Sequence, residues 1–210
     1  MKPTLALAAA ALAAFLAAGV RAQPAPPSAA AQLAPDDAPA GTYVIDTKET
    51  LVRYSTSHMG WTEFWGTFPG ATGTMTLDPK AIGATKLEVT VPVVGLETTN
   101  RELNGEFFSD EFFDGEKFRT MKFVSTEVTR TGPTTARVVG ALTIHGVTRP
   151  AVLNVTFNGG GRNTLKKQVL TLGFNAEGVV KRSDFGLGKF VPLVSDETKI
   201  FISAAWELQK

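Results

Sequence analysis

Apolar and polar side chains alternate with period two along most of the chain, the pattern of strands buried on one face. Over Lys86 to Val93 the apolar side is Leu87, Val89, Val91 and Val93, and the other side is Lys86, Glu88, Thr90 and Pro92. Pro92 has no N–H to give to a ladder, which places a bulge or an edge there. The same alternation sets Ala71, Gly73, Met75 and Leu77 against Thr72, Thr74 and Thr76. It recurs at Ala151, Leu153, Val155 and Phe157, at Leu170, Leu172, Phe174 and Ala176, and at Ile200, Ile202, Ala204 and Trp206. Further strands are predicted over 43–46, 50–57, 120–129 and 136–144. Turns are predicted at Asp78-Pro79, Thr131-Gly132-Pro133, His145-Gly146 and Asn158 to Gly161. Eight or nine strands with one apolar face and no long helix to cover them must pack as a sandwich or close into a barrel.

One segment departs from this period. Between Asn100 and Phe118, Leu103, Phe107, Phe108 and Phe112 fall at roughly helical spacing, Phe113 adds to that face loosely, and Gly105 and Gly115 limit any helix to short pieces. Five of the fourteen Phe lie between Phe107 and Phe118. So long and aromatic a connection is unusual for a plain hairpin, and it is predicted to fold back on one opening of the barrel. Trp61 and Trp65 are assigned to another Gly-rich loop, at the same or the opposite mouth.

The first residues have another logic. Lys2, the apolar run Leu5 to Val20 and the small residues of Val20-Arg21-Ala22 form the three parts of a secretory signal, cleaved after Ala22. The run is shorter and more Ala-rich than the roughly 20 residues that span a bilayer. Residues 23–40, rich in Pro and Ala, are read as a flexible linker and 41–210 as one domain. Losing Lys2 and Arg21 leaves 19 cations against 20 acids and takes the formal charge from +1 to −1. A nearly neutral domain excludes nucleic acid as partner and offers no polybasic membrane patch, and no stable membrane insertion is expected. The absence of Cys removes disulfides, thiol catalysis and thiolate metal sites.

Candidate chemistry is sparse. His58 and His145 lack neighbours at ligand spacing and read as turn or half-buried histidines bonded to backbone. The acids between Glu106 and Glu116 lack the pattern of a calcium loop and read as a solvated face. Asp184-Phe185-Gly186 spells a kinase triplet without the rest of a kinase. Gly159-Gly160-Gly161 is read as a hairpin tip. No nucleophile–base pair, cofactor motif or metal set is apparent, and the chain is read as non-enzymatic, with no cofactor.

Leu142-Thr143-Ile144-His145-Gly146-Val147-Thr148-Arg149-Pro150 resembles the signature hairpin of the YceI-like proteins, and Lys181-Arg182-Ser183-Asp184-Phe185-Gly186-Leu187 resembles their second signature. Gly66-Thr67-Phe68, Gly73 to Asp78, Phe112-Phe113-Asp114 and Lys122 to Thr126 match in order, so the resemblance covers nearly all of 41–210. It departs where Leu103-Asn104-Gly105-Glu106-Phe107 replaces an Arg-Asp-x-His-Leu run, and where Arg119 replaces a Pro. The resemblance implies an eight-stranded antiparallel lipocalin-like barrel with a short helical insertion, enclosing an apolar cavity. It implies a periplasmic protein that binds a polyisoprenoid or other long-chain amphiphile. Leu103, Phe107, Phe108, Phe112 and Phe113 are the expected lipid-binding residues. An enzyme acting on such a lipid, or an interaction module with a filled core, are the alternatives, and a homodimer is left open.

Overall fold

The computed structural model describes residues 33–210. The expected signal (1–22) and the first part of the linker lie outside the described residues. The strands are β1 (Gly41–Ile45), β2 (Leu51–His58), β3 (Thr62–Phe68), β4 (Thr72–Leu77), β5 (Lys86–Pro92), β6 (Glu97–Thr98), β7 (Thr120–Arg130), β8 (Thr135–Ile144), β9 (Val147–Asn163), β10 (Val169–Lys181) and β11 (Val194–Leu208). One α-helix, α1 (Arg101–Phe108), lies between β6 and β7.

Eight strands close into an antiparallel barrel in the order β1-β4-β5-β7-β8-β9-β10-β11, and β11 pairs back onto β1 through Ile45↔Trp206 and Tyr43↔Leu208. Closure follows from the alternation: each strand has one apolar face, and a ring buries all of them without leaving an edge. The long β11 serves two partners on the edge away from β10. Its C-terminal end pairs with β1, and the stretch before it pairs with β2 from Thr198↔Thr56 to Ser203↔Leu51. The wall therefore continues upward as β11-β2-β3-β6, while β5 and β7 run alongside only up to Pro92↔Thr120. Above that point nothing in the ladder joins β3 and β6 to β7, and α1 with the turns after it spans the gap. Val93 N–H donating to Arg119 O (2.9 Å) ties off the two strands where the gap begins.

The lower end is sealed. Tyr43, Leu172, Trp206, Met75 and Leu77 pack together there. Lys166 in the β9–β10 turn pairs with Asp46 and, at 3.1 Å, with Glu207. Residues 33–40, expected as part of a flexible linker, lie against this end. Leu33 N–H donates to Gly160 O (3.0 Å), Pro35–Asp37 forms a 3-10 turn, Asp36 pairs with Arg130 at 2.6 Å, and Leu33 and Ala38 join the apolar cluster. A single Leu in Pro/Ala-rich sequence carries no period, so composition could not reveal this docking.

Two further expectations change. Trp65, expected on a loop, lies within strand β3. Phe64 and Phe68 face inward, whereas Trp65 stacks outside on Phe201 (centroids 5.4 Å) under Arg53 (5.9 Å). Gly159 to Gly161 is not a hairpin tip: β9 runs through it to Asn163, pressed against β10, and a Cβ on Gly160 would lie 2.5 Å from Leu172 Cδ2. The reversal lies further on, where Lys167 and Gln168 have positive φ. Two inward glycines are covered by neighbouring rings. A Cβ on Gly66 would sit 2.3 Å from the Tyr54 ring and one on Gly140 would sit 2.4 Å from the Phe123 ring, so neighbouring rings fill what these glycines vacate.

Candidate functional site

A cavity of about 610 Å³ runs along the barrel axis. Its walls follow from the strand period. Val52 and Tyr54 of β2 stand beside Ile202 and Ile200 of the neighbouring β11, while Leu87, Val89 and Val91 come from β5. Ile45, Met75, Leu77 and Trp206 form the floor. The lining is overwhelmingly aliphatic and aromatic, the character of a site for an apolar guest.

The segment from α1 to Phe118 covers the upper gap. Asn100 caps α1, its side chain accepting from Glu102 N–H at 3.0 Å, as an N-cap residue should. Asn104 fastens the helix to β6 by accepting from Thr98 N–H (3.0 Å) and Thr98 Oγ1 (2.8 Å). Beyond the helix, Phe113 N–H donates to Phe107 O (3.0 Å) and Gly115 N–H to Phe108 O (2.8 Å), folding the chain back on itself. This places Leu103, Phe107, Phe112 and Phe113 on the cavity. Phe107 meets Phe112 edge-on (centroids 4.8 Å) and Phe64 (5.9 Å), and Phe113 meets Phe68 (5.6 Å). Phe108 points elsewhere: its ring covers Gly115, where a Cβ would lie 2.1 Å away. Phe118 closes the far side by packing edge-on against His145 (4.7 Å).

The other half of the mouth is the loop between β10 and β11. Arg182 pins it. Its guanidinium donates to Ser195 O (2.9 Å), Lys189 O (2.7 Å), Val194 O (2.8 Å) and Leu187 O. Burial pushes its pKa below the usual arginine value, partly offset by nearby Asp196. The neighbouring acid of the loop is Asp196, which accepts from Ser183 N–H (2.9 Å) and Ser183 Oγ (2.7 Å), whereas Asp184 is exposed. Phe185 is buried, and its carbonyl lies 3.2 Å from His145 Nδ1, the half-buried, backbone-bonded histidine expected at this turn.

Lys189 joins the two halves. Its ammonium pairs with Glu111 and, at 3.3 Å, with Glu106 of α1, and lies over the rings of Phe112 (4.9 Å) and Phe190 (5.0 Å). The hydrogen bond to Glu111 raises the lysine pKa and lowers that of Glu111.

Polar groups along the cavity are few. Thr56 and Thr198 stand opposite each other in register, and the hydroxyls of Thr198 and Thr85 are buried without a hydrogen-bond partner among the described residues. Burial raises the pKa of the Tyr54 hydroxyl and keeps it neutral. All four Lys and Arg side chains of the lining are engaged: Arg182 and Lys189 as above, Lys122 with Glu88 (2.6 Å), and Arg53 against Trp65 and Phe201. Sequence reading missed Lys189 and Phe190, which carry no periodic signal. It also left the strand residues of the wall unassigned, although the alternation already marked them as inward-facing.

The family model described as a YceI-like domain matches residues 43–206. A UPF0312 protein from Pseudomonas savastanoi pv. phaseolicola is 37% identical over 159 residues, covering 75% of this chain and 82% of that one. Among solved structures, BcnA of Burkholderia cenocepacia superposes with a TM-score of 0.69 at 22% identity, covering 77% of this chain and 98% of that one. A polyisoprenoid binding domain from Saccharophagus degradans superposes with a TM-score of 0.61 at 13% identity, covering 80% and 98%.

Proposed function

The chain belongs to the YceI-like family, and on that premise we propose that it is a non-enzymatic periplasmic protein that binds and carries a polyisoprenoid or similar long-chain lipid in its barrel. The observation that carries the reading is the cavity of about 610 Å³, lined by aliphatic and aromatic residues and blind at its lower end. A module with a filled core would not keep such a space, because each cavity the size of a methyl group or larger costs about 1 kcal/mol. Burying each methylene of a guest contributes roughly 0.8 kcal/mol before ordering costs, so a few isoprene units give useful affinity. The name of the Saccharophagus degradans domain supports this class of guest.

The head group is read as small and uncharged. A phosphate in this cavity would need a free cation, and all four Lys and Arg of the lining are already paired or stacked. The unpartnered hydroxyl of Thr198 can instead bond an alcohol or carbonyl. Leu103, Phe107, Phe112 and Phe113 are the proposed lid contacts, and Phe108 supports them by holding the turn at Gly115. Native mass spectrometry of protein purified from its own host tests the reading. A retained apolar lipid is expected. An empty barrel that also takes up no polyprenol in solution would overturn it.

A further inference from the structure

The mouth carries an apolar lip that the cavity does not account for. Trp61 is 80% exposed, Leu193 59%, Phe190 52%, Met59 43% and Val191 39%. They belong to two loops, the β2–β3 turn and the β10–β11 loop, fastened together by Met59 N–H donating to Leu193 O (2.7 Å). The lip is continuous with the cavity, because Phe190 also lines it and packs near Phe112 of the lid (6.3 Å). Aromatic side chains present about 150–250 Å² each and the aliphatic ones somewhat less, so these exposures leave roughly 400–500 Å² of apolar surface on one edge of the molecule. A patch of that size on a single chain is commonly functional.

We propose that this lip docks on a lipid surface, Trp61 and Leu193 entering the interface, so that the cavity mouth opens onto the bilayer from which the guest is drawn. The proposal rests on the reading of the cavity as a lipid carrier. A second copy of the chain is the less suitable occupant, since stable interfaces use about 800 Å² from each partner and the lip offers less. Trp is the side chain favoured at the water–lipid boundary, its ring apolar and its N–H able to bond head groups. The charges of the mouth settle the kind of surface. Lys189 is held by Glu106 and Glu111, and Arg182 is spent on backbone carbonyls. Docking is therefore by apolar insertion, without a requirement for anionic lipid.

The test is flotation of protein purified from its host with phosphatidylcholine vesicles, with and without phosphatidylglycerol. It is repeated near 1 M salt, where screening shortens to about 3 Å. The double variant Trp61→Ser with Leu193→Ser is compared with the parent, and both proteins are titrated with a fluorescent polyprenol. The expected result is that the parent floats with both vesicle types at either salt concentration. The variant partitions roughly tenfold less or weaker still, with unchanged melting and unchanged polyprenol affinity. A parent that stays behind with neutral vesicles, or floats only with anionic lipid and is released by salt, overturns the proposal. So does a concentration-dependent dimer in sedimentation velocity that the double variant abolishes, with no flotation of either protein. A parent that floats yet takes up no polyprenol supports docking while overturning the carrier reading.

Discussion

Arg182→Ala removes the pin of the mouth loop, and the cost can be worked from its partners. The guanidinium donates to the carbonyls of Ser195, Leu187, Lys189 and Val194. A hydrogen bond to a charged group contributes about 1.5–3 kcal/mol, and an abandoned buried acceptor costs about 1–3 kcal/mol. Leu187 is buried, but Ser195, Lys189 and Val194 are half-exposed and can recruit water, so the four do not add in full. A loss of about 2–4 kcal/mol is expected. For a domain of this size each kcal/mol shifts Tm by about 2–4 °C, giving a fall of roughly 4–16 °C in a circular-dichroism melt. Arg182→Lys should recover less than half of it, because an ammonium lacks the planar fork that reaches carbonyls on both sides. Asp184→Ala, at an exposed position without a partner in the loop, should stay within about 0.5 kcal/mol of the parent. An unchanged melt for Arg182→Ala would refute the structural role, as would Asp184→Ala proving the more damaging of the two.

The mouth yields four more expectations. Gly105→Ala, in the middle of α1 with nothing within 4 Å of the added Cβ, should stabilise the helix by about 0.8–1 kcal/mol, raising amide protection over Arg101–Phe108 and slowing polyprenol uptake in stopped flow. Phe107→Ser should weaken polyprenol binding with little change in Tm, whereas Phe108→Ser, which uncovers Gly115, should lower Tm with a smaller effect on binding; the reverse pattern would exchange their roles. Lys189→Ala unfastens the lid from the opposite loop and should speed release of bound polyprenol, measured by transfer to acceptor vesicles, an acceleration that high salt partly reproduces in the parent. Asp196 has its pKa raised by burial but lowered more by the two Ser183 hydrogen bonds with Arg182 and Lys181, the net shift being downward. Its contribution to the loop is then fully present above the unfolded value of about 3.9 and is lost as pH falls through the lower folded value, so protection of the Ser183 amide should persist to below about pH 4 and vanish in Asp196→Ala.

What could be read in advance follows from which residues repeat. Leu87-Val89-Val91 and Ile200-Ile202-Ala204 name their inward face by parity alone, and once the faces are known closure into a ring is the economical way to bury them. His145-Gly146 is equally legible, since both residues take positive φ in a two-residue hairpin turn. β3 was hidden because its outward Trp65 is as apolar as its inward Phe64, which removes the contrast that parity depends on. The lid was recognisable from its density of Phe, but the spacing of four could not say that Phe108 would turn from the cavity toward Gly115. Arg182 stood out in the signature segment, yet its partners are backbone carbonyls, which leave no mark in a sequence. Lys189 and the docked Leu33 depend on contacts with Glu106 and Gly160, more than eighty residues away in the chain.

A tube sealed at one end is also a ruler. Any chain that enters between Phe107 and Phe190 advances until it meets Trp206 and Met75, and from there its length is counted back toward the opening. Short chains vanish inside, chains of matching length bring their last atoms level with Lys189, and longer ones leave a remainder outside the mouth, beyond Phe190. Moving the floor would move the zero of that scale: Trp206→Ala lengthens the tube, and Ala204→Phe shortens it, without altering the opening.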